Sequence, residues 1–142
     1  MILKLPALLV LTPLFCCAAE SCPWINAGTV GGILGGGVEA KMTKTTCEFT
    51  HRSGETHYSL RVEVKTGQFQ KYLSQCKSKP RQLTAVGNEA VTCRAGSAGL
   101  AIGRVRDHVF IIRVTTNDHS GSEDSLVARA QAAAEHVAGN LF

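Results

Sequence analysis

Two alternating runs constrain this chain more than anything else in it. Cys47 and Phe49 interleave with Thr46, Glu48 and Thr50, while Tyr58, Leu60, Val62 and Val64 interleave with His57, Ser59, Arg61 and Glu63. A period of two marks a strand with one buried face, and Ser53-Gly54 between the runs has tight-turn composition. The spacing predicts a β-hairpin. With Ser53-Gly54 as the loop, Phe49 falls opposite Tyr58 and Cys47 opposite Leu60, so both apolar sets share a face; a one-residue slip would set Phe49 against Ser59. The same register sends His51 and His57 to opposite faces, which argues against a metal pair and for histidines at strand ends.

The flanking segments supply helices and further strands. Residues 22–35 read as a short helix, with Ser21 as N-cap, Pro23 in the first turn and Gly35 at the end. The glycine patch Gly31 to Gly37 has no Gly-Lys-Ser/Thr ending and follows no strand, so it reads as cap and loop rather than as a phosphate loop. In residues 67–77, Phe69, Tyr72, Leu73 and Cys76 are spaced for one helix face, and Pro80 ends the pattern. Strand patterning resumes over Ala90 to Arg94, Leu100 to Arg106 and Val109 to Thr116. Joining the last two through Asp107-His108 sets Val105 opposite Phe110, Gly103 opposite Ile112 and Ala101 opposite Val114. From Ser122 an N-cap is followed by Glu123 and Asp124 at the positive end of a helix, and Leu126, Ala130, Ala133, Val137 and Leu141 form its apolar stripe. The expected order is α-β-β-α-β-β-β-α: one α+β domain with an antiparallel five-stranded sheet layered with helices.

The chain begins with Met1, Lys4 and an apolar run from Leu5 to Phe15, ending in Cys17, Ala18 and Ala19. This is the pattern of a signal peptide covering residues 1–19, cut after Ala19, with a single domain over residues 20–142. Pro6 and Pro13 interrupt a run shorter than the roughly 20 apolar residues a membrane span needs. Lipid anchoring through Cys16 or Cys17 is the alternative, disfavoured because neither cysteine follows a small residue. Four cysteines remain, Cys22, Cys47, Cys76 and Cys93, and in an exported chain an even set reads as disulfides with three possible pairings. Modest loops, and Cys76 on the buried side of its helix near the strand of Cys93, favour Cys22 with Cys47 and Cys76 with Cys93. No Cys-x-x-Cys is present after the leader, so neither a zinc site nor a redox pair is indicated.

Composition excludes several functions. The formal charge of +4 falls to +3 without Lys4, and the basic residues are dispersed, so nucleic acid is not an expected partner. The sequence has no Gly-x-Ser-x-Gly and no His-Glu-x-x-His, and Asn117-Asp118-His119-Ser120 reads as a polar loop rather than a triad. No catalytic residue, metal ligand or cofactor is assigned. An enzyme would need a deep pocket joining His119 or His108 to a carboxylate and a hydroxyl. Asn88-Glu89 after Gly87 reads as a turn with an exposed carboxylate. The candidate ligand-binding residues are Arg104, Arg106 and Arg113, which the expected register brings to one side of a hairpin, with Arg104 and Arg113 as diagonal neighbours able to share an anionic group.

Cys22, a short helix closing at Leu34-Gly35, Cys47-Glu48-Phe49 and Gly87-Asn88-Glu89-Ala90 ahead of a strand together resemble a group of bacterial exported and lipoprotein domains of unknown function. That group is similar in architecture to the PsbP-like fold, an antiparallel sheet layered with helices. The resemblance spans most of the chain after the leader. Phe49 stands where tryptophan is common, the lipoprotein cysteine context is poor, and Cys76 with Cys93 is an additional bridge. The resemblance implies a location and a scaffold rather than a reaction. The expectation is a monomeric, secreted or periplasmic, non-catalytic binding module that engages a protein or an envelope component. A small secreted hydrolase inhibitor is the alternative, since disulfide-rigid loops lower the cost of binding.

Overall fold

A computed structural model describes residues 21–142. The leader at 1–19, its cut after Ala19 and the alternative anchor at Cys16 or Cys17 lie outside the described residues. The elements are α1 (Ala27–Leu34), β1 (Glu39–Met42), β2 (Thr46–Ser53), β3 (Thr56–Thr66), α2 (Phe69–Tyr72) continued by a 3₁₀ turn (Leu73–Gln75), β4 (Arg81–Gln82), β5 (Glu89–Ala95), β6 (Ala98–Val105), β7 (His108–Thr116) and α3 (Glu123–Leu141). All strands join one antiparallel sheet in the order β1-β2-β3-β7-β6-β5-β4. The chain leaves the centre at β3, crosses to the far edge through α2 and the 3₁₀ turn, then returns strand by strand until β7 closes against β3.

The expected five-stranded sheet is therefore incorrect: the described residues form a sheet of seven strands. The two additions are its edges. Glu39-Ala40-Lys41-Met42 is exposed at all but Met42, and Arg81-Gln82 is exposed throughout, so neither carries an apolar alternation. Short, charged edge strands resist pairing with other chains, and the same property hides them from pattern reading.

Alternation gives the sheet two different faces. Cys47, Phe49, Leu60, Val62, Phe110, Ile112 and Val114 meet Leu126, Ala130, Ala133 and Val137 of α3 and Val30 and Leu34 of α1 in the main core. The opposite face holds a smaller cluster, Val91, Ile102, Val109 and Ile111, capped by Phe69 with Tyr72, Leu73 and Cys76 alongside. This strap covers only part of its face. β6 turns Gly99, Ala101 and Gly103 toward α3 and Phe110; a Cβ added at Gly99 would stand 2.5 Å from the Leu126 carbonyl oxygen and 2.6 Å from the Val127 nitrogen. The helix backbone thus rests directly on the strand.

One disulfide ties each covering layer to the sheet. Cys22–Cys47 holds the N-terminal segment on the main-core side, and Cys76–Cys93 holds the strap on the other. With sequence separations of 25 and 17, loop-closure entropy gives each about 3 kcal/mol in the chain-entropy model. The Ser122 cap of α3 accepts from the Asp124 N–H, with Glu123 and Asp124 in the first turn. The first helix starts later than the sequence reading placed it: Asn26, not Ser21, is the N-cap, its Oδ1 accepting from the Thr29 N–H at 2.7 Å. Cys22 and Ile25 are buried ahead of the helix, committing that stretch to the core. Gly35, with φ 105°, closes α1 where expected. Among the described residues no helix is long and apolar enough to cross a membrane.

Candidate functional site

Register decides which charges meet. Both long hairpins keep the expected faces but pair two residues away from the expected partners: Phe49 lies opposite Leu60 rather than Tyr58, and Gly103 opposite Phe110 rather than Ile112. His51 and His57 do fall on opposite faces, and His51 Nδ1 meets the Gly37 carbonyl at 2.8 Å. In β6–β7 the two-residue loop is Arg106-Asp107. Arg104 consequently sits opposite Val109, and Arg113 opposite Leu100, four positions along β6. The structure does not bring Arg104, Arg106 and Arg113 together.

Arg104 and Arg106 belong to a clasp around that turn. Arg104 Nε donates to Glu89 Oε1 at 3.0 Å, and its Nη1 donates to the Arg106 carbonyl at 2.7 Å. Asn88 Oδ1 accepts from the Arg106 N–H at 2.6 Å, and the Asn88 N–H donates to the Arg104 carbonyl at 2.8 Å. Arg106 has φ 56°, a left-handed conformation that costs a side-chain-bearing residue about 1–2 kcal/mol. Gly87, with φ 61°, must be glycine: an added Cβ would stand 2.5 Å from the Arg104 carbonyl oxygen. The Gly87-Asn88-Glu89 segment is thus the brace of a neighbouring hairpin, and the Glu89 carboxylate is ion-paired.

Arg113 lies in different surroundings. It projects from the strap side of β7, and its cross-strand neighbour on β3 is Arg61. A row runs Lys41, Glu48, Arg61, Arg113 and Leu100 across β1, β2, β3, β7 and β6. Among the described residues neither guanidinium has a carboxylate within 4 Å. Glu63, two residues from Arg61, is taken by Lys65 at 2.8 Å, and this hydrogen bond and charge raise the Lys65 pKa above its ordinary value. Arg113 also lines an open cleft of about 640 Å³ with Ser74, Gln75, Lys77, Ala95 and Gly96. The Lys77 N–H donates to the Arg94 carbonyl at 2.8 Å, next to the Cys76–Cys93 crosslink, so this cleft wall is fixed. Sequence reasoning missed Arg61 and Lys77. One signal was present: between Glu63 and Glu89 the chain carries Lys65, Lys71, Lys77, Lys79 and Arg81 and no carboxylate.

The remaining hollows are of other kinds. One of about 90 Å³ is lined by Tyr58, Ser97, Thr116, Asp118, His119 and Ser122, well below the few hundred Å³ of an ordinary ligand pocket. Asp118 Oδ1 accepts from the Ser120 hydroxyl at 2.6 Å and from its N–H at 3.0 Å, bonds that hold the carboxyl below its ordinary pKa. His119 is exposed and makes no hydrogen bond to Asp118, so this loop holds an Asx turn rather than a proton relay. A groove of about 540 Å³ runs between the strap and the β4 edge, with Phe69, Leu73, Leu83 and Val91 on its apolar side. Among the described residues no three His, Cys, Asp or Glu side chains gather as metal ligands.

Compared with protein-family models, curated proteins and solved structures, the chain finds no match in any of the three.

Proposed function

We propose that this chain is an exported, non-catalytic binding module that engages an envelope component or a protein through the uncovered part of its strap-side sheet face. The observation that carries this reading is that part of the sheet itself. Thr50, Ser59, Arg61, Glu63, Arg113 and Thr115 stand there exposed or half-buried on neighbouring strands, while the main-core face lies under two helices. Side chains on paired strands, braced from both sides by crosslinked layers, present fixed groups, and such preorganisation lowers the cost of binding. Two disulfides are what export to an oxidising, secreted or periplasmic compartment would permit. Kinship with exported domains of PsbP-like architecture is part of the same proposal, and a layered antiparallel sheet is what that kinship requires.

Site-specific photocrosslinking in the native host tests the reading. A photoreactive residue at Ser59 captures the partner, whereas one at exposed Ala128 on α3 does not. Equal capture from both positions, or none from Ser59, removes the proposal.

A second reading, inhibition of a secreted hydrolase, is favoured by exposed Arg106 in its braced turn. A trypsin-like protease inhibited by this protein and not by Arg106→Ala would support it, and the absence of inhibition would dismiss it.

A further inference from the structure

Of the other arginines, Arg52, Arg81 and Arg106 are exposed to solvent and three are matched. Arg94 pairs with Glu123 and Arg104 with Glu89, and Arg129 lies over the Tyr58 ring at 4.2 Å while donating to the Leu34 carbonyl at 3.2 Å. Arg61 and Arg113 face each other across β3 and β7 without such a partner among the described residues. Directly opposed side chains have Cβ atoms about 5 Å apart, and like charges so placed destabilise a sheet. The arrangement becomes favourable when one anion sits between the two forks. The nearest carboxylates do not fill that role: Glu48, beside Arg61 on β2, forms no ion pair within 4 Å among the described residues, and Glu63 is held by Lys65.

A third cation lies in the same neighbourhood. Lys77 and Arg113 both line the 640 Å³ cleft, whose remaining walls are the neutral Ser74, Gln75, Ala95 and Gly96. The Lys77 backbone is fixed by its bond to the Arg94 carbonyl, and the Arg94 N–H in turn donates to the Ser78 hydroxyl at 2.8 Å. The strap that carries Lys77 has no acidic residue. Glu123, which borders the adjoining hollow with Lys77, is occupied by Arg94.

From this arrangement we infer that Arg113, Arg61 and Lys77 form a phosphate-binding site at the cleft between the strap and the β5–β6 turn. The inference rests on the proposed contact face and assigns its ligand class: a component bearing a phosphate monoester, from a soluble phosphorylated molecule or a lipid headgroup. Two guanidinium forks offer bidentate donors suited to tetrahedral and planar oxyanions alike. With Arg113 paired to Arg61 across the strands and sharing the cleft with Lys77, the higher charge of a phosphate monoester, about −1.5 to −2 near neutral pH, is favoured over a single carboxylate. The open cleft leaves room for whatever the phosphate is attached to.

Amide NMR of the oxidised protein, titrated with inorganic phosphate and with sodium acetate at matched ionic strength, tests the site. Phosphate produces saturable shifts at Arg61, Lys77, Gly96 and Arg113 that acetate does not. Arg113→Gln and Arg61→Gln each weaken phosphate binding at least tenfold with thermal midpoints held or raised, since the opposed charge is relieved, while Arg106→Gln, also one charge fewer, leaves phosphate binding unchanged. Co-sedimentation with vesicles containing phosphatidic acid, which carries a phosphate monoester, but not with phosphatidylcholine vesicles, lost in Arg113→Gln, assigns the phosphate to a lipid; phosphate binding without co-sedimentation assigns a soluble source. Linear shifts, equal shifts with acetate, or equal weakening by Arg106→Gln overturn the inference as diffuse charge only. Crosslinking from Ser59 in a protein that does not bind phosphate would leave the contact face standing and this site refuted.

Discussion

The resting of α3 on bare strand backbone makes Gly99→Ala the sharpest test of the packing. The new methyl would stand 2.5 Å from the Leu126 carbonyl oxygen and 2.6 Å from the Val127 nitrogen. Ordinary heavy-atom contacts to carbon lie near 3.5 Å, so the surroundings must yield by about 1 Å. The obstructing atoms are helix backbone, which has no rotamer to change, and α3 is held over the sheet by Leu126, Ala130, Ala133 and Val137. Overpacking of this kind costs about 1–3 kcal/mol, and the rigidity of the obstacle places this case at the upper end. Replacing a strand glycine returns about 0.5–1 kcal/mol of backbone entropy. The net loss is then about 2 kcal/mol, which for a domain of this size is roughly 6–10 °C in thermal midpoint. Gly32→Ala is the matched control: Gly32 is exposed within α1, an added Cβ meets nothing within 4 Å, and the change gains about 0.5–1 kcal/mol. Urea unfolding of the oxidised proteins, with unchanged m-values, measures both. A Gly99→Ala protein within about 0.5 kcal/mol of the parent would refute close backbone packing of helix on strand.

Removing the strap crosslink with Cys76→Ser/Cys93→Ser lowers stability by about 3 kcal/mol and speeds native-state hydrogen exchange at the Lys77 and Ser78 amides, which donate to the Arg94 carbonyl at 2.8 and 3.2 Å; undiminished protection there would mean the crosslink does not hold the strap. The Asp118 carboxyl, held down by the Ser120 hydroxyl and N–H, titrates below its ordinary 3.8, so its contribution to stability is present above that pH and is lost as pH falls through the folded value. NMR titration of Ser120→Ala finds the Asp118 midpoint moved upward, and an unmoved midpoint counts against the hydroxyl as the chief cause. Arg106→Gly relieves a left-handed side-chain-bearing residue with φ 56° and raises stability by about 1 kcal/mol in urea unfolding; a loss instead would mean that the Arg106 side chain stabilises the turn.

What the sequence disclosed follows from where burial is one-sided. The alternation of Cys47 and Phe49 with polar neighbours, and of Leu60, Val62 and Val64 with theirs, reports burial under α1 and α3, and these residues are in the main core. The Ser122 cap with Glu123 and Asp124 was equally plain because capping is local chemistry. The sheet edges were not legible: Glu39, Lys41 and Arg81 protect exposed backbone with charge, which erases the periodicity that reveals a strand. The second helix was only half legible. Phe69, Tyr72, Leu73 and Cys76 do lie together against the strap-side cluster, but the backbone tightens from α to 3₁₀ at Leu73 and leaves the helix at Cys76, whose φ of −69° and ψ of 128° are extended.

The candidate site shows a deeper reason for partial legibility. A slip of two residues in a hairpin keeps every side chain on its face but changes every neighbour, so hydrophobic pattern fixes the face of Arg104 and Arg113 and says nothing about whether they meet. Turn geometry makes that choice. The loops of β2–β3 and β5–β6 open on Gly54 and Gly96, both with φ 62°, the conformation for which glycine is the ordinary residue. The β6–β7 loop opens instead on Arg106, and no local preference selects a left-handed arginine. Its stability is supplied from a distance: Asn88 accepts the Arg106 N–H, Arg104 reaches the Arg106 carbonyl, and Glu89 anchors Arg104. The register that separates Arg113 from Arg104 is therefore braced by residues 17 to 18 positions upstream of the turn, in a segment that reads by itself as no more than a polar bend.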